Sequence, residues 1–499
     1  MSGSVLKEWV LTKRRQVAIV GCSFRFPGST TSSFWQNLMT GQDLVTQVDA
    51  SRWDHAEFLH PDKANPATSY TFAAGSLGDI SAFDAGFFNI SPREAAVMDP
   101  QQRMLLEMCW ETFENAGVKP SSLRGSNCGV YLGIAGVEQA YRLVEDLASI
   151  DAATATGNTM SIAANRLSFF YDLRGPSMAI DTACSSSLVA FHQACQAIIS
   201  GDIDQAVTGG ISLHMHPFGF MIFAKASMLS RTGRCQAFDE RGDGYARSEG
   251  GGLFLLKDYD QALADGNPIL AVVAASAVNT DGRKSSLTLP SADAQAALLK
   301  RTYAKAGIDP SQLDYLEAHG TGTAVGDPIE TRAIGEALGQ ARKAGNPLPI
   351  GSIKSNLGHL EAASGVAGLM KALNCLIERE VPATIGIEEL NPNIPFADLN
   401  LQVVTESRAL KAEGQLTVGI NSFGFGGANA HVILQSAEPL PASTTAGNTR
   451  RVPLLLSAKD AEGLRATAEG FAEYLAAHPQ GSYYAVSYTH LTLPTTPYV

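Results

Sequence analysis

A cysteine and two histidines stand in motifs of small residues: Cys184 in AIDTACSSSLVA, His319 in YLEAHGTGTAVGDPIE and His359 in GSIKSNLGHLEAASG. A thiol nucleophile with two imidazoles is a set for acyl chemistry. The thiol can take an acyl group as a thioester, and the imidazoles can hold protons against oxygens that gain charge.

The surrounding residues say how each group is positioned. Before Cys184 a short strand runs to Asp181, then a tight turn leads into a helix predicted over Ser185–Ser200. The thiol is therefore expected at a helix amino end, where free N–H groups and the dipole favour thiolate. Ala183, Ser185 and Ser186 are small enough to leave room for a thioester. The scattered Cys22, Cys109, Cys128, Cys195, Cys235 and Cys375 read as inert core residues.

His319 follows strand-like LDYLEA and precedes GTGT, whose two glycines let a slender ligand approach the backbone. Asp327-Pro328-Ile329-Glu330 reads as a helix start, with Asp327 as N-cap and Glu330 as the capping-box partner. His359 closes KSNLGH, and Lys354, five residues earlier, is placed to hold or polarise its ring. In NSFGFGGANAH, a glycine-rich turn around Phe425 can present a backbone amide to an oxyanion while the ring gates a channel. No phosphate-loop, dinucleotide or metal-ligand pattern is present. His214 and His216 carry no assignment.

Buried β-branched runs alternate with helical stretches, which argues for α/β layers. Strands are predicted at Gln16–Gly21, Gly129–Ile134, Ser177–Ile180 and Ala206–Ser212, with a helical stretch at Ala95–Ala116. A second series starts near Pro268 and ends with the strand His431–Gln435. Two successive α/β halves, each with part of the chemistry, suggest a pseudo-duplicated fold.

Composition narrows the class. The 499 residues are 45% hydrophobic with 47 glycines, enough for a large core. Charge is −12, from 37 Lys and Arg against 49 Asp and Glu, which argues against a broad nucleic-acid surface. Seven unpaired-looking cysteines fit a reducing compartment. The first residues have charges where a signal peptide needs an apolar run, and Ile269–Val278 is too short to span a bilayer. A cytoplasmic protein without membrane contact is the expectation.

Residues 437–485 read as a linker that breaks off inside something larger, containing a strand-like LLLSA and an amphipathic helix over Ala461–Ala477. VSYTHLTL, from Val486, back-translates in one frame to the end of a sequencing adaptor, so residues 486–499 read as library DNA.

DTACSSSL, EAHGTGT followed by GDPIE, KSNLGH and GFGGANAH, in this order and spacing, resemble the signatures of the β-ketoacyl synthase domain of type I polyketide synthases, a thiolase-like condensing enzyme. The resemblance runs over about Gln16–Ser436 and departs at Ala428, where the family usually has Thr. It implies a five-layered αβαβα fold in two halves, 16–260 and 261–436, with 1–15 as a lead or docking remnant. It implies Cys184 as acyl acceptor and His319 and His359 as the decarboxylation and condensation pair, with Lys354 supporting His359. It places Thr321 and Thr323 on the phosphopantetheine arm, and the Cys184 and Phe425 amides in the oxyanion hole.

The implied reaction is decarboxylative Claisen condensation of a Cys-bound acyl chain with a malonyl-type extender. The implied partners are an acyl carrier protein, a downstream acyltransferase region and a second copy of the chain. The domain itself is expected to bind no cofactor and no metal, its substrates being carried on the carrier protein's phosphopantetheine. A degradative thiolase would need a second-half cysteine, and Cys375 lies instead in an amphipathic helix. A stand-alone fatty-acid condensing enzyme would do similar chemistry, but the GDPIE extension and the unfinished linker favour a multidomain synthase. A scaffold, loading or transfer domain would lack one of the three site residues.

Overall fold

The computed structural model describes residues 15–437, 456 and 458–477. The N-terminal lead, the first part of the linker and residues 486–499 lie outside the described residues, apart from Arg15 in the lead.

Eleven strands form one continuous mixed sheet: β1 (Val17–Arg25), β2 (Gly129–Gly133), β3 (Ser177–Ile180), β4 (Gln205–Ser212), β5 (Gly250–Asp258), β6 (Ala271–Thr280), β7 (Tyr315–Glu317), β8 (Leu348–Gly351), β9 (Leu401–Val403), β10 (Thr417–Phe423) and β11 (Ala428–Ser436). Their order is β9-β8-β7-β10-β11-β6-β1-β5-β4-β2-β3. Counted within each half, strands one to five lie in the order 3-2-4-5-1 in both, with β9 added at the second half's outer edge. The directions repeat too. Strand two is parallel to strands three and four, and strand five is antiparallel to four and one. The pseudo-duplication expected from sequence is therefore a repeat of topology. The halves meet where β1 pairs with β6, through Val17–Ile19 and Ala271–Val273.

Alternate residues of a strand face opposite sides, and here both sides are covered. Val17 and Ile19 of β1 enter the central core, while Ala18 and Val20 enter an outer one. The outer layer of the first half is α1 (Pro100–Asn115) and α2 (Met160–Tyr171). Pro100 takes the first turn of α1, and Asp99 caps it, accepting from Gln101 N. The second half's outer layer is α5 (Ala292–Ala306) and α6 (Gly326–Ile334).

Between the two halves of the sheet lie α3 (Ser186–Ser200) and α7 (Ser364–Glu378), sharing one core through Leu188 and Phe191 of the first and Val366, Leu369 and Met370 of the second. Burying each such side chain contributes roughly 1.5–3 kcal/mol. These layers make the expected αβαβα sandwich. Close approach demands glycine at its centre. A Cβ on Gly133 of β2 would stand 2.2 Å from Ser187 N, at the start of α3.

The amphipathic helix expected at Ala461–Ala477 is present over those residues. No helix among the described residues is long and apolar enough to cross a membrane.

Candidate active site

Cys184 sits in the turn between β3 and α3. Ala183 adopts a left-handed φ of 56°, which brings the chain round sharply enough for Cys184 to precede the helix. Thr182 N donates to Ser186 Oγ at 2.9 Å and Ala183 N to Asp181 Oδ1 at 2.9 Å, which fixes the turn. The Cys184 carbonyl accepts from Ser364 Oγ at 2.8 Å and Ser422 Oγ at 2.9 Å, both from the second half.

The expected thiolate is not the resting state. Burial pushes the Cys184 thiol up to about 12, and the Glu361 charge adds to that. The backbone N–H groups of Phe425 and of Cys184 itself pull the other way, as does the Lys354 charge. Desolvation outweighs the helix terminus, so Cys184 rests as a thiol. Two N–H groups brought towards the thiol would also suit an oxyanion formed on a carbon bonded to the sulfur. Gly424 allows this approach, since a Cβ there would meet Thr182 O at 2.4 Å.

His319 follows β7, and His359 follows the short helix Lys354–Leu357. Their rings meet edge to face, with centroids 5.4 Å apart. The His359 backbone is stitched to the neighbouring segment by His359 N to Ala246 O and Ser248 N to His359 O, both 2.8 Å. Its Nδ1 accepts the Glu361 N–H at 2.8 Å. A neutral ring so held carries its proton on Nε2 and is a donor.

Burial keeps both imidazoles well below the usual histidine range, and the Lys354 charge lowers both further. Lys354 is buried, and its own ammonium is shifted down by desolvation, against the charges of Glu317 and Glu330. Its charge thus bears on the pair of rings rather than on His359 alone.

Asp327 and Glu330 depart from the expected capping box. Helix α6 begins two residues earlier, at Gly326, and its N-cap position is Val325. The freed carboxylates turn inward. Glu330 accepts from His319 N at 2.7 Å, Gly320 N at 2.8 Å and Asn421 Nδ2 at 2.9 Å. Asp327 accepts from Phe238 N at 2.8 Å and Gly322 N at 3.2 Å, and burial raises it to about 7. The two acids shape the GTGT loop. Thr321 is buried in that loop, its hydroxyl 3.2 Å from that of Thr323, which also accepts from Gly326 N.

Glu361 and Arg247 carry no signal in the sequence reading. Arg247 Nε donates to Glu361 at 2.8 Å, its guanidinium lies 3.6 Å from Glu138, and it stacks 4.7 Å from the Phe220 ring. Phe220 belongs to α4 (Phe218–Lys225) and is core, whereas Phe223 of that helix meets the Phe425 ring at 5.9 Å. His214 is fully buried. Cys184, His359 and Glu361 bring thiol, imidazole and carboxylate atoms within 4.8 Å of one another, donor types that suit zinc. His359 has no lone pair to offer a cation, however, with Nδ1 taken by Glu361 N–H and Nε2 protonated. The trio fits acyl and proton chemistry instead.

Profiles for the "Beta-ketoacyl synthase, N-terminal domain", the "Beta-ketoacyl synthase, C-terminal domain" and the "Ketoacyl-synthetase C-terminal extension" match residues 14–262, 270–388 and 391–495. The last takes in part of the tail read above as library DNA. One component of the phenolphthiocerol/phthiocerol polyketide synthase of Mycobacterium tuberculosis (strain CDC 1551 / Oshkosh) is 44% identical over 92% of this chain. Another component of that synthase, from the same strain, is 41% identical over 92%. The chain spans 25% and 30% of these two proteins' lengths. Among solved structures, the oxazolomycin ketosynthase domain OzmH KS7 of Streptomyces albus JA3453 superposes with a TM-score of 0.90 at 38% identity, over 96% of this chain and 84% of that one. The module 6 ketosynthase of the bacillaene synthase of Bacillus subtilis 168 gives 0.88 at 37%, over 96% and 80%. With its duplicated five-layer fold and its cysteine and two histidines at the seam, this chain belongs to the β-ketoacyl synthase family, as a ketosynthase domain of the type I polyketide synthase kind.

Proposed function

We propose that the domain elongates an acyl chain by decarboxylative condensation. The observation that carries this reading is the meeting of a buried thiol with a neutral His359, whose free nitrogen is a donor and whose ring lies 5.4 Å from that of His319.

In the first step the Cys184 sulfur attacks an acyl thioester on a carrier protein, and the pantetheine thiol leaves with the proton. The Cys184 and Phe425 amides hold the oxyanion that forms in passing. In the second step a malonyl-type extender lies along the GTGT loop, with Thr321 and Thr323 beside its pantetheine arm. Loss of CO₂ leaves an enolate, whose oxygen takes hydrogen bonds from His319 and His359. Burial, with the Lys354 charge added to it, keeps both rings uncharged. The enolate carbon then attacks the Cys184 thioester, and the sulfur leaves as a thiolate that takes a proton from solvent as the β-ketoacyl product forms. The domain itself supplies only side chains and backbone amides.

The partners that follow are an acyl carrier protein, an acyltransferase region and a second copy of the chain. For the homodimer, β3 is an outermost strand of the sheet, and Met178 on it and Phe169 on α2 are exposed (38% and 88%). Pairing of that edge with a second copy would cover them.

The test is intact-protein mass after mixing the protein with an acyl-carrier thioester and then malonyl-carrier protein. A Cys184-dependent adduct that disappears with release of CO₂ and β-ketoacyl product is expected. An adduct that persists would mark a transfer-only domain. A folded protein that forms none with any thioester would sink the reading.

A further inference from the structure

Behind the reacting groups lies an ion pair that the mechanism above does not use. Lys371 of α7 and Glu317 at the end of β7 are both 1% exposed, with Nζ and Oε2 3.0 Å apart. Tyr315, fully buried, completes a triangle. Its hydroxyl is 2.6 Å from Glu317 Oε2 and 2.9 Å from Lys371 Nζ. A buried pair of this kind adds little net stability compared with a well-packed apolar replacement, so its presence asks for another explanation.

The other carboxylate oxygen supplies one. Glu317 Oε1 accepts the N–H of Ile353 at 2.6 Å. Ile353 is the residue before Lys354, and Glu317 is two residues before His319. One carboxylate therefore ties the strand that delivers His319 to the segment that delivers Lys354, and Lys371 with Tyr315 fixes that carboxylate in orientation. A second bond runs alongside, from Ser352 Oγ to Gly320 O at 2.7 Å.

We infer that Glu317, locked by Lys371 and Tyr315, is a positioning residue for the decarboxylation half-reaction, holding Lys354 in register with His319 and His359. This rests on the condensing reading given above. Cys184 is delivered by a different turn and held by Ser364 and Ser422, so its acylation does not depend on this lock.

The experiment compares two charge-free double variants in the full chain. Lys371→Met with Glu317→Gln removes both charges but keeps an acceptor for Ile353 N–H. Lys371→Met with Glu317→Leu removes the acceptor as well. Acylation of Cys184 is read by intact mass, and CO₂ release from malonyl-carrier protein is read separately. The Gln variant, which loses the Lys371 half of the lock but keeps the acceptor, is expected to acylate normally and to lose about 3- to 10-fold in CO₂ release. The Leu variant should acylate normally and lose about 10- to 100-fold in CO₂ release.

Equal CO₂ release from the Leu variant and the unaltered protein overturns the inference. A Gln variant as impaired as the Leu variant overturns it too, because charge rather than placement would then matter. If the Leu variant fails to fold, Tyr315→Phe, which removes one fixing bond, carries the test. It should lower CO₂ release at least about 3-fold with acylation unchanged, and no change in their ratio counts against the inference. An unaltered protein that releases no CO₂ from malonyl-carrier protein indicts the condensing reading instead.

Discussion

Ser364 Oγ donates to the carbonyl of Cys184 at 2.8 Å, so the second half of the chain holds the backbone of this thiol in the first half. Ser422 makes a matching bond at 2.9 Å, and the two hydroxyls lie 3.1 Å apart. Removing both with Ser364→Ala and Ser422→Ala leaves a buried carbonyl unpaired, at a cost of about 1–3 kcal/mol. Denaturant unfolding should show that loss for the double variant and less for either single one. Acylation of Cys184 should slow in parallel.

The negative charge of Glu361 is among the causes that keep Cys184 a thiol. Glu361→Gln should therefore lower the thiol pKa from about 12 and raise its alkylation by iodoacetamide at pH 8. Each unit of lowering gives ~10-fold in thiolate and in rate. Timed intact-mass measurements decide this, and a slower reaction would contradict it.

Both imidazoles are held well below the usual histidine range, first by burial and then by the Lys354 charge. A base whose pKa is depressed stays neutral until the pH falls to that depressed value. Release of CO₂ should thus show no acid limb near pH 6.5, the ordinary histidine value. Lys354→Met removes a positive charge, which eases protonation of the rings, so an acid limb should move up towards that value. A pH–rate profile of CO₂ release for both proteins checks the sign.

Gly424 is needed where a Cβ would stand 2.4 Å from Thr182 O. Gly424→Ala must displace the turn that aims Phe425 N–H at the sulfur. Loss of one oxyanion donor costs about 100-fold or more in rate, and acylation by a carrier thioester should fall by that order. Phe425→Ala keeps the N–H and removes only the ring, so its acylation should fall far less. Equal losses in the two variants would assign the effect to the ring.

Much of this was readable from the chain. The turn before α3 and the helix over Ser186–Ser200 follow from local composition, as do the motifs that single out Cys184, His319 and His359, because their causes lie within a few residues. What escaped depends on distance. Asp327 and Glu330 have the spacing of a capping box, yet they bond to N–H groups of Phe238, His319, Gly320 and Gly322 that folding brings to them. Arg247 and Glu361 are 114 residues apart and only become partners in the folded chain. The thiol's protonation state escaped for a different reason. A helix terminus is visible in sequence, whereas the depth of burial that outweighs it is not.

The duplicated sheet has one more consequence, at the seam where β1 lies beside β6. The thiol belongs to the piece before that seam, and both imidazoles belong to the piece after it. Gly266, in the connection between them, has open space where a side chain would go. A chain severed there would yield one polypeptide with the thiol and one with both imidazoles. Recovery of turnover only on mixing them would report their reassembly across the seam.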